Sequence, residues 1–282
     1  MKQLTKTYPP ESGQPLRSIW IDTAIGRLHA RTNAINPPPD SAAVLVTHGL
    51  TVGVSYTEPI CRLLACSFRV FAVDLPCYGK SAKRRHLLSV PQAADALVAF
   101  MDAIALWQAH LLGNSYGCQV FAEMAARYPE RVQRVVLQGP TVNPHRRSFW
   151  QQLWPWIWTS HYERKGLSAL AIRDVLRLGM RRTVEAVRFC LEDAIEKNLP
   201  RIQAPTFVVC GENDPMVPRD WAEEATRLLR RGELRMVPGW GHCLVYSAPF
   251  ELLQIVQPFL NANYLGETFA RRVPRFELLN HS

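Results

Sequence analysis

No apolar run among the 282 residues is long enough to cross a bilayer, so a membrane-spanning reading is set aside. The first fifteen residues, MKQLTKTYPPESGQP, lack the apolar core of a secretory leader, and a soluble, cytoplasmic protein is expected. No Cys-x-x-Cys pair occurs. The seven cysteines (61, 66, 77, 118, 190, 210 and 243) are odd in number, and several sit inside apolar runs. That usage argues against a disulfide framework or a zinc site, and no metal or cofactor is expected. Internal repeats, low-complexity tracts and nucleic-acid-binding signatures are also missing. The net charge of +9 is scattered, with mild concentrations in the middle of the chain and at 270–275. No nucleic-acid partner follows from it. Contact with an anionic membrane surface, or simple solubility, is compatible with such a charge. What is present is ordinary for a globular protein: 48% hydrophobic and 20% charged residues, enough for a sizeable core.

Short apolar runs alternate with helical patterns. Residues 16–21 and 27–32 flank a turn at Ala24-Ile25-Gly26 and read as a hairpin. The runs 42–47, 69–74, 109–113, 134–139, 206–211 and 233–239 follow, most of them continuous enough for strands covered on both faces. Between them, Ser89 is placed as a helix cap before Ala93, Ala94, Leu97, Phe100 and Met101. Residues 116–128, 221–229 and 250–260 supply further helices, with Pro258 expected to close or bend the last. The alternation predicts an α/β fold: a mostly parallel eight-stranded sheet with helices on both faces. Residues 143–200 contain no strand pattern. They read as a helical insertion between the sixth and seventh strands, in a core made of 1–142 and 201–282. The insertion opens with WQQLWPWIW (150–158) and continues as an arginine-rich amphipathic run over 172–191.

In open α/β sheets, ligands bind at the carboxyl ends of the strands. The residues following each strand are therefore decisive. They are His48-Gly49-Leu50-Thr51 after 42–47 and Asp74 to Ser81 after 69–73. Gly113-Asn114-Ser115-Tyr116-Gly117 follows 109–112, Gly211-Glu212-Asn213-Asp214 follows 206–210, and Gly239-Trp240-Gly241-His242 follows 233–238. A serine, an acid and a histidine thus fall at three strand ends on one side. On residues alone, either Glu212 or Asp214 can be the acid.

The Gly-x-Ser-x-Gly turn between a strand and a helix, with serine, acid and histidine in that order, resembles the α/β-hydrolase fold family over about 16–262, with 143–200 as its variable cap. The resemblance implies a triad of Ser115 as nucleophile, His242 as base and Asp214, rather than Glu212, as the orienting acid. It implies an oxyanion hole from the backbone N–H groups of Leu50 and Tyr116, the latter helped by a helix N-terminus. His48 is expected to shape its loop and Asp74 to brace a turn. Cys118 and Cys243 are expected to be small core residues.

A serine at the elbow speaks against the dehalogenases and epoxide hydrolases of that family, which carry aspartate there. The Gly-Asn-Ser start is similar to hydrolases that cut carbon–carbon bonds, although Cys118 and Leu50-Thr51-Val52 depart from their glycine pattern. The expected function is hydrolysis of a small to medium apolar ester through an acyl-enzyme, with acyl transfer as a variant of that chemistry. Carbon–carbon hydrolysis of a diketone and a non-catalytic ligand-binding role are the alternatives. Of Trp150, Trp154, Trp156 and Trp158, most are expected to pack the cap onto the core, with Trp154 and Trp156 as candidates for the substrate pocket. His145, Arg146 and Arg147 are candidates for meeting a carboxylate or a lipid headgroup.

Overall fold

A computed structural model describes residues 12–159 and 161–261. The basic tail lies outside the described residues. Strands β1 (Arg17–Thr23) and β2 (Gly26–Thr32) form the expected hairpin, closed where Thr23 pairs with Gly26. Then come β3 (Ala43–Thr47), α1 (Glu58–Leu64), β4 (Arg69–Val73), α2 (Val90–Ala103), β5 (Ala109–Asn114), α3 (Tyr116–Arg127) and β6 (Val132–Gln138). The region 143–200 contributes α4 (Phe149–Thr159), α5 (Leu167–Leu178), α6 (Met180–Glu192) and α7 (Ile195–Asn198). The chain returns through β7 (Thr206–Gly211), α8 (Arg219–Leu228), β8 (Gly232–Val237), α9 (Leu244–Ser247) and α10 (Pro249–Asn261).

The sheet order is β1-β2-β4-β3-β5-β6-β7-β8. β2 runs antiparallel to both of its neighbours, and every pair from β4 to β8 is parallel. Alternate side chains enter opposite cores. Leu45, Leu111 and Val208 pack with α2, α3 and α8, whereas Val44, Leu112 and Val209 pack with α1 and α10. Helix α2 carries the expected Ser89 cap, reinforced by a reciprocal capping box with Gln92.

Three expectations need correction. The run 172–191 is two helices, because Gly179 interrupts it at φ +86°. Pro258, expected to close or bend α10, does not close it: the helix continues to Asn261. The tryptophans of α4 do not pack inward: Trp150, Trp154, Trp156 and Trp158 are all more than half exposed. Helix α1, only seven residues long and with a proline in its first turn, had no clear periodic signal. No described helix is long and apolar enough to cross a membrane.

One buried carboxylate fixes the loops that precede the site. Asp74, at the end of β4, accepts from the Val54 amide at 2.7 Å and the Lys80 amide at 3.0 Å, and meets His29 Nδ1 at 2.7 Å. Gly79 sits at φ +47°, so close that a Cβ there would collide with the carboxylate. Asp74 therefore braces two turns. Burial would push its carboxyl up, but the His29 hydrogen bond and the two amides help hold it below the usual range. A depressed carboxylate adds stability at neutral pH, lost as pH falls through its folded value. Asp74→Ala is expected to cost about 3 kcal/mol and to flatten the acid side of the stability profile. Urea unfolding at several pH values measures both, and a loss below about 1 kcal/mol would contradict the bracing role.

Candidate active site

Ser115 sits between β5 and α3 with φ +55° and ψ −119°, a region that L-residues rarely occupy. The turn is possible because of its neighbours. A Cβ on Gly113 would lie 2.7 Å from the Gly117 carbonyl oxygen, and one on Gly117 would lie 2.9 Å from the His48 oxygen. The Ser115 amide donates to the Gln138 carbonyl of β6 at 3.0 Å. Its hydroxyl is buried and makes one long contact, 3.4 Å to Thr141 Oγ1.

His242 and Asp214 follow β8 and β7, and both are buried. Asp214 Oδ2 lies 2.7 Å from His242 Nδ1, while Oδ1 accepts from the Met216 and Val217 amides at 2.8 and 3.1 Å. Glu212 instead faces Arg219 across 3.4 Å in an exposed pair. With Nδ1 donating to Asp214, the His242 Nε2 lone pair is free, and this atom has no hydrogen-bond partner among the described residues. The His242 carbonyl accepts from Gln138 Nε2 at 2.8 Å and from Asn114 Nδ2 at 3.5 Å, which ties its loop to the residue preceding Ser115.

The 48–51 loop completes the surround. His48 Nε2 accepts from the Leu75 amide and its Nδ1 donates to the Gly49 carbonyl. Burial pushes its imidazolium down, so a neutral, loop-shaping ring results. Tyr56 receives the Gly49 amide at 2.8 Å and donates to Asn114 Oδ1. Neither the Leu50 nor the Tyr116 amide donates to another group among the described residues. Burial raises the Cys118 thiol, and burial together with the charges of Glu163 and Asp214 raises that of Cys243. Both therefore stay protonated and inert.

Nothing in the sequence pointed to Tyr56, Gln138 or Thr141 as neighbours of this site. For Glu163 there was one signal: it is the sole acid of residues 143–172. It accepts from the Cys243 amide at 2.9 Å and the Ser247 hydroxyl at 2.5 Å, clamping the helical insertion to the loop of His242. Arg146, Trp150, Gln151, Trp154, Pro155 and Trp158 of the insertion border an open groove of about 870 Å³, closed on the far side by Pro215 and Pro218 next to Asp214. Trp156 lies outside that groove. A second, polar cleft of about 720 Å³ lies at the amino ends of β5 to β7, the opposite edge of the sheet.

Comparison with known proteins follows the same lines. A family model described as alpha/beta hydrolase fold matches residues 42–171 and 143–249. The carboxylesterase YbfK of Bacillus subtilis is 24% identical over 280 residues, covering 92% of this chain and 91% of that protein. A 2-hydroxy-6-oxo-6-phenylhexa-2,4-dienoate hydrolase of Burkholderia cepacia is 33% identical over 115 residues, 38% of this chain and 39% of that protein. The crystal structure of a membrane phospholipase A superposes with a TM-score of 0.76 at 24% identity, covering 88% of this chain and 87% of that one, a likeness of fold.

Burial would lower the His242 imidazolium, but the charge and hydrogen bond of Asp214, with the charge of Glu163, raise it above the ordinary 6.5. A raised folded value means that this pair adds stability below the unfolded value and loses it as pH rises through the folded one. NMR titration of His242 is expected to give a midpoint above 6.5, the ordinary value, moving down in Glu163→Gln. An unchanged midpoint in the variant would remove Glu163 from the site's electrostatics.

Proposed function

The chain belongs to the α/β-hydrolase fold family and is a hydrolase, and from that premise we propose that it is a serine hydrolase acting on small to medium apolar esters. The observation carrying this reading is the buried, unpartnered Nε2 of an imidazole whose other nitrogen is held by Asp214, in a loop tied through Asn114 to the strained turn of Ser115. Ser115 Oγ leaves its long contact with Thr141, passes its proton to His242 Nε2 and attacks the carbonyl carbon. Such contacts in unliganded enzymes commonly tighten only with substrate. The free amides of Leu50 and Tyr116 receive the developing oxyanion, the second with the positive end of α3 behind it. Imidazolium returns the proton to the departing alcohol. Water, deprotonated by the same ring, then frees the acid.

Residues 143–200 act as a cap on the core formed by 1–142 and 201–282. The groove walled by Trp154 receives the apolar part of the substrate. An ester series of rising acyl length is expected to shift its optimum in Trp154→Ala, and an identical profile would remove Trp154 from specificity. A second reading, cleavage of a carbon–carbon bond in a diketone, is favoured by the 33% identity to the Burkholderia cepacia hydrolase. Parallel assays with esters and diketones separate the two.

Ser115→Ala is expected to abolish labelling by a fluorophosphonate and to lower ester turnover by roughly 10⁴-fold or more. The pH profile of kcat/KM should rise through a midpoint above 6.5, the ordinary imidazole value, because only neutral His242 accepts the proton. Wild-type protein that resists the probe across that pH range would leave a binding protein on this fold.

A further inference from the structure

Helix α4 presents a surface that neither the fold nor the proposed chemistry requires. Trp150, Trp154 and Trp158 recur every fourth residue, which stacks them along one side of the helix. They are 76%, 71% and 54% exposed, and Phe149, edge-on to Trp150, is 45% exposed. Three indoles and a phenyl ring make an apolar patch larger than a lone domain normally leaves in water.

Within residues 143–172 the exposed charge has one sign, and Glu224 of α8 meets His145 at 2.8 Å. Arg146 borders the patch at the groove and Lys165 follows it, both exposed. The single acid of residues 143–172, Glu163, is turned inward against Cys243 and Ser247. The same pairing of exposed apolar and basic residues recurs on α5 and α6, where Leu176 and Met180 are each followed by an arginine.

We propose that α4 docks this protein on anionic phospholipid bilayers, lying in the interface with its tryptophans among the acyl–headgroup boundary. Indole rings favour that layer, being apolar with one N–H donor. Arginine and lysine beside them meet the lipid phosphates. A second copy of the chain is the competing occupant, and the oligomeric state in solution decides for or against it. Docking would also set the groove beside Asp214 next to the lipid, so that an apolar substrate could enter without crossing water.

Co-sedimentation of the full chain with vesicles tests this. Vesicles of phosphatidylcholine with about 30% phosphatidylglycerol are expected to bind roughly tenfold more protein than phosphatidylcholine alone, with a blue-shifted tryptophan emission and loss of binding at high salt. Trp150→Ser with Trp158→Ser should weaken binding about tenfold or more. So should Arg146→Glu with Lys165→Glu, a pair that leaves the aromatic face intact. Circular dichroism and thermal melting check that each variant is folded. Equal binding by the folded variants, or no binding by wild type to either vesicle, overturns the proposal. So does a concentration-dependent dimer, seen by light scattering, that the tryptophan variants abolish. Vesicle binding is measured without turnover, so this result stands apart from the fate of the serine mechanism.

Discussion

The tight pass of the backbone at Ser115 is the constraint from which the site follows. A strand must end, a helix must begin, and a side chain must be left at the tip, all within one residue. The backbone meets this with a positive φ at a non-glycine position, a strain of roughly 1–3 kcal/mol. The surroundings hold it there. Gly113 and Gly117 let the two legs of the turn touch, the Gln138 carbonyl on β6 fixes the Ser115 amide, and α3 begins at once with a free N–H at Tyr116. The same bend that leaves the hydroxyl at its tip therefore also leaves the Tyr116 N–H next to it without a partner among the described residues.

Around that turn, backbone and side-chain hydrogen bonds connect segments far apart in the chain. Tyr56 joins the 48–51 loop to Asn114, and Asn114 and Gln138 hold the carbonyl of His242. A buried network of this kind is costly when partly broken, because each abandoned polar group keeps its desolvation penalty. At the end of the neighbouring strand β4, Asp74 has the equivalent role and fixes the turns at Val54 and Lys80. The site is thus positioned by several carboxylates and amides that never meet the reacting atoms.

The mostly parallel eight-stranded sheet, and the strand ends that carry Ser115, Asp214 and His242, were legible in the sequence because each rests on local rules. Continuous apolar runs mark strands buried on both faces, and glycines flanking Ser115 mark a turn too tight for side chains. The preference for Asp214 over Glu212 needed the family resemblance; in the structure Asp214 is the one that meets His242, while Glu212 faces Arg219 at the surface. The break between α5 and α6 turned on one glycine inside an otherwise helical pattern, a signal with two readings. The four tryptophans look like packing residues in the sequence because hydrophobicity states only a preference for leaving water, and it does not say where the partner surface is. Glu163, Tyr56 and Thr141 act through contacts of long sequence separation, which no local pattern encodes.

Two acids of the helical insertion reach toward the core, and this links the site to the surface. Its buried acids point inward: Glu163 to the loop of His242, and Asp174 of α5 to the Gly53 amide at 3.0 Å. The charges of Asp214 and Glu163 keep the His242 imidazolium above the ordinary range despite its burial. Arg146 and Lys165 stand outside, where water or lipid phosphate can solvate them. The base strength of the imidazole therefore depends on the insertion being seated. A displacement that carried Glu163 away from Cys243 and Ser247 would remove a negative charge from beside His242 and admit water to the ring. Water would relieve the desolvation and screen Asp214, two changes of opposite sign on the imidazole. The loss of the Glu163 charge has no such counterpart, so seating of the insertion and proton affinity at His242 are coupled through that one carboxylate.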